Sequence, residues 1–413
     1  MEYRHILLFV IITVLSACSS NNETTTTSSN SATDTSQLKN QIIAQAINIS
    51  EDEQGELNKE DLALFAEQIG DARIIGLGEQ THGAGSVFKL KAQLIKYLHQ
   101  QHNFDLFILE SGIYDVQKIW QQAKLGNDIK AIAAGNIFYM YAKSTEVTPL
   151  LNYISEQANS ENPLMLAGFD SQHTGGYSNR GLMQDLENAV KKSTDDWTVE
   201  ANWLFFSETI QQILDLSTSR LTSTQEQLFW TQLTNIQKTF KSDDNGFWYR
   251  ITRGLEAQAK RQWKIADNRS EEMGENVKWW AEQYPDKKII VWAHTWHLTR
   301  EGNNQINAGN VISDEFGDAY YMVHFTGASG EYLDYVDLQN KNVTPPANNS
   351  VEIILNNNVK TNISFVDVGS LSVENDNIAI FTNDYSKSLP AKDWSKYWDG
   401  FFFIKEIKPA TYQ

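Results

Sequence analysis

The chain has 413 residues, of which 41% are hydrophobic and 11% aromatic, and this is enough apolar material for a large core. Its formal net charge of −18 at pH 7 excludes the basic surface that binding to a nucleic-acid backbone requires. We therefore expect a globular protein without a nucleic-acid partner.

The first eighteen residues have the layout of a secretory signal peptide. Arg4 and His5 precede an apolar run over 6–14 that is too short to span a bilayer. The Leu-Ser-Ala-Cys segment at 15–18 resembles the lipobox of bacterial lipoproteins. That resemblance implies acylation of Cys18, and Ser19 at the next position implies sorting to the outer membrane of the cell envelope. A secretory peptide with an incidental cysteine is the alternative.

Cys18 is the one cysteine of the chain, so we expect neither an intramolecular disulfide nor a cysteine nucleophile. Residues 19–37 are rich in Ser, Thr and Asn and hold almost no apolar side chains. Such a segment cannot bury enough surface to offset the entropy lost on ordering. It is predicted to be a disordered tether, and the folded domain is predicted over 38–413.

A glycine-rich turn follows the first apolar run of the folded part. Ile74, Ile75 and Leu77 suit a buried strand, and G-E-Q-T-H-G over 78–83 precedes a helical periodicity. Glu79 and His82 lie three residues apart in this turn, where an acid and an imidazole can share one substrate near the positive end of a helix. A loop with a solvated Glu and His is the alternative.

Four apolar runs each end in a side chain capable of acid–base chemistry. They cover 74–79, 106–110, 164–170 and 289–294 and end in Glu79, Glu110, Asp170 and His294. Helical stretches separate them, so they read as βα units of a largely parallel sheet, where ligands collect beyond the carboxyl ends of the strands. The sequence thus predicts an α/β fold with flanking helices and these four side chains in one crevice.

The remaining elements complete this predicted fold. Helical periodicity from about 180 to 284 predicts an inserted helical cap, whose aromatic residues are expected mostly in packing. After Asn310, short alternating runs over 319–325, 351–355 and 378–381 predict additional C-terminal strands that close the sheet.

Taken together, these motifs resemble the erythromycin esterase family. The turn at 78–83 is followed in order by L-F-I-L-E at 106–110, L-A-G-F-D at 166–170, M-G-E-N at 273–276 and V-W-A-H-T-W-H at 291–297. Pro345-Pro346 and the W-D-G-F segment at 398–401 are similar to the family's C-terminal pattern. The resemblance runs from about Ile42 to about Pro409 and implies a hydrolase that opens a macrolide lactone or a related ester.

The chain contains no G-x-S-x-G motif, which disfavours a serine esterase. Water is then the expected nucleophile, with His82 as its base and Glu79 or Glu110 orienting the imidazole or holding the water. The resemblance places His294, the first His of this pattern, in the active site, and His297 is assigned to substrate binding. Both are expected to donate to a developing oxyanion, with structural hydrogen bonding as the alternative.

Three charged residues are further candidates for substrate binding. Lys91 stands where the family commonly has Arg, so a compact ammonium group replaces the planar guanidinium with its paired N–H donors. A solvated surface lysine is the alternative. Arg269 matches an Arg before the family's M-A-x-N motif, although Ser270 and Gly274 replace the usual Asp and Ala. Asp170 ends its strand like the family residue, and capping of the next helix is the alternative.

Other functions stay open on this sequence. Glutamates and histidines in one crevice are ordinary ligands for zinc or manganese, and G-E-x-x-H is similar to a group with metal-dependent peptidases and a haem-binding lipoprotein. A pure binding module is a third possibility. The favoured prediction has no metal and no cofactor, a small-molecule ester or lactone as its partner, and membrane contact only through the lipid on Cys18.

Overall fold

The computed structural model describes residues 30–241, 246–302, 305–372 and 377–413, with side chains from 37 onward. The predicted signal peptide, Cys18 and residues 19–29 of the predicted tether lie outside the described residues. Helix α1 (Asn30–Gln45) begins inside the segment expected to be a tether. Its buried side chains Leu38 and Ile42 lie within the predicted folded domain, and the boundary at 37 stays a prediction.

The described ranges contain the following strands and helices. The strands are β1 (Ile47–Ile49), β2 (Ile74–Glu79), β3 (Leu106–Gly112), β4 (Met165–Asp170), β5 (Ile289–His294), β6 (Tyr320–Leu333), β7 (Asn340–Asn342), β8 (Ile363–Asp367), β9 (Ala379–Asn383), β10 (Lys387–Pro390) and β11 (Gly400–Ile407). The helices after α1 are α2 (Lys59–Ile69), α3 (Gly85–His102), α4 (Ile113–Lys124), α5 (Ile129–Ala133), α6 (Tyr139–Lys143), α7 (Thr148–Gln157), α8 (Met183–Lys192), α9 (Trp203–Leu214), α10 (Ser223–Lys241), α11 (Phe247–Gln262), α12 (Arg269–Gln283), α13 (Thr295–Leu298), α14 (Ala308–Phe316), α15 (Val351–Asn358) and α16 (Trp394–Tyr397).

The main sheet has the strand order β1-β8-β11-β6-β2-β5-β3-β4, with β7 paired to β6. The strands from β11 to β4 in this order are parallel, whereas β8 is antiparallel to β11 and β1 is antiparallel to β8. This confirms the predicted α/β fold with a largely parallel sheet. Because β2, β5, β3 and β4 are neighbours, the four predicted site residues at their carboxyl ends share one edge of the sheet.

The parallel strands are buried on both faces, as continuous apolar runs in a parallel sheet should be. Leu106 and Ile108 of β3 enter one hydrophobic core, and Phe107 and Leu109 enter the other. Alternate side chains of a strand point to opposite faces, so each central strand contributes to two layers of helices. The result is a three-layer arrangement with the sheet in the middle.

The segment from 180 to 284 is largely helical, as predicted, and its helices pack directly on the sheet. Met273 and Val277 of α12 share a hydrophobic core with Phe169 of β4, and Phe229 of α10 belongs to the same core. Since these helices bury the apolar surface of the sheet itself, they form one of its two flanking layers. The expectation that their aromatic residues serve packing is confirmed, for example by Phe229, whose ring centre lies 5.2 Å from that of Trp263.

The predicted C-terminal strands are confirmed in two of three places. Residues 319–325 fall mostly in β6, and 378–381 fall mostly in β9, but β9 pairs with β10 in a separate two-stranded sheet. The run at 351–355 is helix α15, not a strand. Ser350 caps this helix by accepting a hydrogen bond of 3.3 Å from the N–H of Ile353, and Val351, Ile354 and Leu355 are buried with helical spacing.

Within the described ranges, no helix combines the length and the apolar composition that crossing a bilayer demands.

Candidate active site

The turn between β2 and α3 carries the first two site residues. Glu79 is the last residue of β2, and His82 lies in the turn before α3 begins at Gly85. A Cβ atom on Gly83 would lie 1.5 Å from the carbonyl oxygen of Leu333, while the N–H of Leu333 donates to the Gly83 carbonyl at 3.0 Å. The glycine is therefore required by the close approach of the end of β6, and this contact fixes the turn.

Glu79 is fully buried and holds the imidazole of His82. Its Oε1 lies 3.2 Å from Nδ1 of His82 and accepts hydrogen bonds from the Tyr141 hydroxyl at 2.9 Å and from Nε1 of Trp292 at 3.3 Å. A carboxylate beside Nδ1 favours the tautomer with the proton on that nitrogen. Nε2 of His82, which has no protein hydrogen-bond partner among the described residues, is then left as an acceptor.

Lys91 is fully buried behind Glu79, which contradicts both predictions made for it. Its Nζ contacts Oε2 of Glu79 and donates to the Leu77 carbonyl at 2.7 Å. It also lies 5.0 Å from the ring centre of Trp292. Position 91 continues the apolar stripe that Val87 begins on the face of α3 toward the sheet, so this lysine is a buried counter-ion and neither a substrate contact nor a solvated side chain.

These neighbours set the charges of the group. Burial raises the pKa of Glu79, but the Lys91 ammonium and His82 outweigh burial and hold it well below its usual value. Burial lowers the pKa of Lys91 to about 8, although Glu79 acts in the opposite direction. Burial also lowers the pKa of His82, but the charges of Glu110 and Glu79 outweigh it, so the pKa lies above 6.5. A raised pKa makes the neutral imidazole of His82 a stronger base, which suits proton removal from water.

Glu110, at the end of β3, lies on another wall of the site. Its Oε2 accepts the backbone N–H of His294 at 2.8 Å, and its Oε1 lies 3.4 Å from Nη2 of Arg269 and 3.4 Å from Nε2 of His297. Burial raises the pKa of this carboxyl above its usual value, against the effects of His82 and Arg269. Of the two carboxylates predicted to orient His82, Glu79 makes the contact and Glu110 acts only through its charge.

Asp170 and Arg269 form a bidentate ion pair. Oδ2 of Asp170 lies 2.6 Å from Nη2 of Arg269, and Oδ1 lies 2.9 Å from Nε. Burial raises the pKa of Asp170, but the guanidinium outweighs burial and lowers it. The pair fixes Arg269 between Asp170, Glu110 and His297, so the structure brings these candidate residues together, and Asp170 acts chiefly as the partner of the arginine.

The two histidines of A-H-T-W-H differ in what they offer a ligand. In His294, Nε2 donates to the Gln80 carbonyl at 2.7 Å, and Nδ1 accepts the N–H of Trp296 at 3.1 Å. Burial lowers the pKa of His294 to about 4, so the ring is neutral and both nitrogens are occupied. The geometry therefore gives His294 a positioning role and leaves its predicted donation to an oxyanion without a free nitrogen.

His297 keeps one ring nitrogen turned toward the site. Its Nδ1 lies 2.8 Å from the hydroxyl of Ser270, which itself accepts the N–H of Ala308 at 3.2 Å. A hydroxyl that accepts from a backbone N–H is free to donate to Nδ1, and this leaves the proton of His297 on Nε2. The contacts of that nitrogen with Glu110 and Arg269, at 3.4 and 3.5 Å, are long.

A cavity of about 820 Å³ opens in front of these groups, which is the size of a small-molecule site. The predicted residues in its wall are His82, Glu110, Asp170, Arg269, His294 and His297, and the further lining includes Ser111, Gly112, Asn136, Phe138, Tyr139, Gln172, Thr174, Leu216, Trp296, Tyr335, Asn383 and Asp384. Glu79 and Lys91 lie behind this wall and reach a ligand only through His82.

The sequence did not single out several of these residues. Tyr141 lies on the short helix α6, which follows none of the four predicted strands, and no pattern pointed to it. Trp292 and Gln80 stand inside motifs that were noticed for their histidines and glutamate, so proximity to the motif was the available signal. Tyr335 and Asp384 come from turns that only the tertiary fold brings to the cavity.

The donor set does not have the arrangement of a metal centre. Among the described residues, no group of three or more His, Cys, Asp or Glu side chains is placed to hold an ion. Of the three histidines, His82 alone keeps a free nitrogen lone pair, on Nε2, because both nitrogens of His294 are engaged and Nδ1 of His297 accepts from Ser270 while its Nε2 carries the proton, and a protein metal site of this kind needs several such ligands. These residues therefore do not fit the metal that one alternative function required.

Comparison with known proteins agrees with the resemblance noted in the sequence. The chain matches the model of the erythromycin esterase family over residues 99–406 and belongs to that family. It is 27% identical over 337 residues to "Putative hydrolase YbfO" of Bacillus subtilis (strain 168), covering 72% of this chain and 75% of that protein. These relationships support a hydrolase.

Solved structures share the fold. A succinoglycan biosynthesis protein superimposes with a TM-score of 0.71 at 17% identity, over 92% of this chain and 99% of that one. A mutant of the erythromycin esterase EreC in its open conformation gives a TM-score of 0.62 at 16% identity, over 86% and 96%. At these identities the likeness concerns architecture, and the chemistry has to be argued from the residues of the site.

Proposed function

We propose that this protein hydrolyses a carboxylic ester or lactone with a water molecule activated by His82. The observation that carries the proposal is the setting of that imidazole, since Glu79 contacts Nδ1 at 3.2 Å while Nε2 is left free at the wall of the cavity. A carboxylate on one nitrogen and a free lone pair on the other are what a general base requires. Membership of the erythromycin esterase family supports the same reaction class.

In the proposed reaction, Nε2 of His82 removes a proton from water as the water oxygen attacks the carbonyl carbon of the ester. The imidazolium so formed is stabilised by the contacting carboxylate of Glu79 and by the charge of Glu110. When the tetrahedral intermediate collapses, the bond to the leaving oxygen breaks and His82 returns the proton to that oxygen. The products are one carboxylic acid and one alcohol, or one hydroxy acid from a lactone.

Lys91 and Tyr141 act on His82 indirectly, through their contacts with Glu79. The ammonium of Lys91 contacts Oε2 of Glu79, and the Tyr141 hydroxyl donates to Oε1 at 2.9 Å. Both interactions keep Glu79 ionised in a buried position where an isolated carboxylate would take up a proton. The two residues are thus positioning residues that act through Glu79.

The negative charge on the carbonyl oxygen needs donors on the facing wall. Arg269 and Nε2 of His297 are the candidates, since the guanidinium is held by Asp170 and the imidazole by Ser270. Donors fixed before the reaction stabilise an oxyanion without reorganisation at the moment it forms. We therefore assign stabilisation of the oxyanion to His297 and Arg269. His294 positions the turn that carries His82 through its hydrogen bond to the Gln80 carbonyl.

The substrate class is proposed from the family and the size of the site. A cavity of about 820 Å³ accommodates a drug-sized ligand, and family membership makes a macrolide lactone the first candidate, with related esters next. The test is to incubate the full-length protein with a macrolide, simple lactones, and alkyl and aryl esters. Mass spectrometry should detect a product heavier than its substrate by one water.

His82→Asn is the decisive variant in this assay. Loss of a general base should reduce turnover at least about a hundredfold, with the folded structure retained as judged by circular dichroism. His102→Asn is the matched control, because His102 lies near the far end of α3 and contacts the Tyr97 hydroxyl at 3.2 Å. No hydrolysis of any compound by the wild type, or near-normal turnover by His82→Asn, would overturn the proposal.

A further inference from the structure

Asp384 is the uncompensated charge of the cavity wall. Its carboxylate has no hydrogen-bond or ion-pair partner among the residues that the structure describes. The other two carboxylates of the wall are engaged, Asp170 by Arg269 and Glu110 by the N–H of His294 and by Arg269. Among these three carboxylates, Asp384 is thus the one without a direct partner, since the charges of His82 and Lys387 act on it without a hydrogen bond or ion pair.

The backbone places this carboxylate beside the proposed base. Asp384 and Tyr385 both have φ of +47°, a left-handed conformation that is uncommon outside glycine. Their N–H groups donate to the carbonyl and to Oε1 of Gln80, each at 3.1 Å. The Gln80 carbonyl also accepts a hydrogen bond from Nε2–H of His294 at 2.7 Å. Hydrogen bonds to Gln80 therefore connect the turn after β9 directly to the turn that carries His82.

Aromatic rings surround the same corner of the cavity. The ring centres of Tyr335 and Phe138 lie 5.1 and 4.8 Å from that of His82, and both residues line the cavity. Tyr335 is 36% exposed and can therefore present its ring to a ligand. Burial raises the pKa of Asp384 against the charge of His82, and Asp334 raises it while Lys387 lowers it. The net shift is upward, and a bound cation would favour the ionised carboxylate.

A carboxylate flanked by aromatic rings is the environment in which proteins bind ammonium groups. We propose that Asp384, Tyr335 and Phe138 form a subsite for a positively charged nitrogen, so that the preferred substrates are esters carrying an ammonium group close to the scissile bond. The catalytic consequence rests on the proposed hydrolase function, whereas cation binding at Asp384 can be measured without any reaction.

The binding test uses choline and its neutral analogue in which carbon replaces the quaternary nitrogen. The two probes have the same shape and hydroxyl group and differ in charge. Ligand-observed NMR titration of the full-length protein should show about tenfold tighter binding of choline. Asp384→Asn should remove this preference, and Asn suits the left-handed backbone at this position.

Asp337→Asn is the control for long-range charge. Asp337 is exposed on the turn that follows Tyr335 and is paired with Lys341 at 2.6 Å, so its variant should keep the preference for choline. Failure of choline to bind, equal binding of the two probes, or an unchanged preference in Asp384→Asn would overturn the subsite.

Hydrolysis of the acetate esters of the two probes separates this inference from the proposed function. The wild type should hydrolyse the charged ester with about tenfold higher kcat/KM than the neutral ester, and in Asp384→Asn the ratio of the two kcat/KM values should fall to about one. Equal hydrolysis of both esters by both proteins would overturn the subsite and leave the hydrolase intact. Choline binding without hydrolysis of either ester would support the subsite and count against the hydrolase.

Discussion

The two ring nitrogens of His82 have different surroundings, since Nδ1 contacts the buried carboxylate of Glu79 and Nε2 faces the cavity. This difference allows His82 to act as a general base. Glu79 reaches Nδ1 at 3.2 Å, and the charge of Glu110 acts from across the site. The sequence predicted Glu79, Glu110, Asp170 and His294 in one crevice, because residues at the carboxyl ends of neighbouring parallel strands converge. His82 came from the turn after Glu79, His297 from the A-H-T-W-H motif, and Arg269 from the family resemblance alone. The sequence could not show whether Glu79 or Glu110 contacts the imidazole of His82, since only side-chain packing decides this.

The pH dependence of the reaction should report the charge of Glu110. The neutral imidazole is the active form, so kcat/KM should rise with pH through the pKa of His82, which lies above 6.5. Glu110 contributes the largest charge effect that raises this pKa, and Glu110→Gln removes it. The rising limb of the kcat/KM profile should therefore move to lower pH.

The measurement is the pH–rate profile of the wild type and of Glu110→Gln with the same ester. A limb that stays in place or moves to higher pH would show that the titrating group is not His82 under the influence of Glu110. Asp337→Asn serves again as the control, because this exposed carboxylate should leave the limb where it is.

At the level of elements, the Glu79–Lys91 pair joins β2 to α3 through the core. Both side chains are fully buried, and removing one partner of a buried pair leaves an uncompensated charge that typically costs about 3–5 kcal/mol. Lys91→Met should therefore lower the free energy of unfolding by about that amount. The double variant Glu79→Gln/Lys91→Met should recover most of the loss, because no charge is then left buried.

Chemical denaturation of the single and double variants tests this expectation. Lys89→Met is the matched control on the same helix, since Lys89 is partly exposed and pairs with Glu51 at 3.3 Å. An exposed pair of this kind should contribute no more than about 1 kcal/mol. A Lys91→Met protein as stable as the Lys89→Met protein would refute a structural role for the buried pair.

Secondary structure was predicted less well in segments far from the four predicted strands. The run at 351–355 was expected to be a strand and is helix α15, because the Ser350 cap and the spacing of Val351, Ile354 and Leu355 favour a helix. Five residues are too few for periodicity to distinguish the two. Lys91 was predicted to bind substrate, with a solvated surface lysine as the alternative. Its buried position could not be foreseen, because its partner Glu79 is brought to it only by the packing of α3 on β2.

At the scale of the whole molecule, the parallel sheet could be predicted and its strand order could not. The apolar runs ending in polar residues identify β2, β3, β4 and β5, but the insertion of β5 between β2 and β3 depends on contacts between distant parts of the chain. For the same reason, Tyr335 and Asp384 were missed, because they reach the cavity from turns after β6 and β9.

Anchoring to the envelope is a proposal about the whole molecule that the described residues do not reach. The lipobox-like segment predicts acylation of Cys18, and two or more acyl chains bind a membrane stably where one does not. In a Gram-negative host, the full-length chain should fractionate with membranes, and Cys18→Ser should lose both the lipid and this anchoring. Metabolic labelling with a fatty acid checks the modification, and a Cys18→Ser protein that stays equally membrane-bound would contradict it.

The central claim, that water activated by His82 is the nucleophile, is tested most directly by a single turnover in water labelled with the heavy oxygen isotope. The protein is used in excess over an ester that it hydrolyses, and the carboxylic acid product is analysed by mass spectrometry. Direct attack by water predicts one labelled oxygen in the acid formed in the first turnover. Unlabelled acid in that turnover would show that a protein carboxylate, such as Glu110, supplies the oxygen, and would contradict the mechanism.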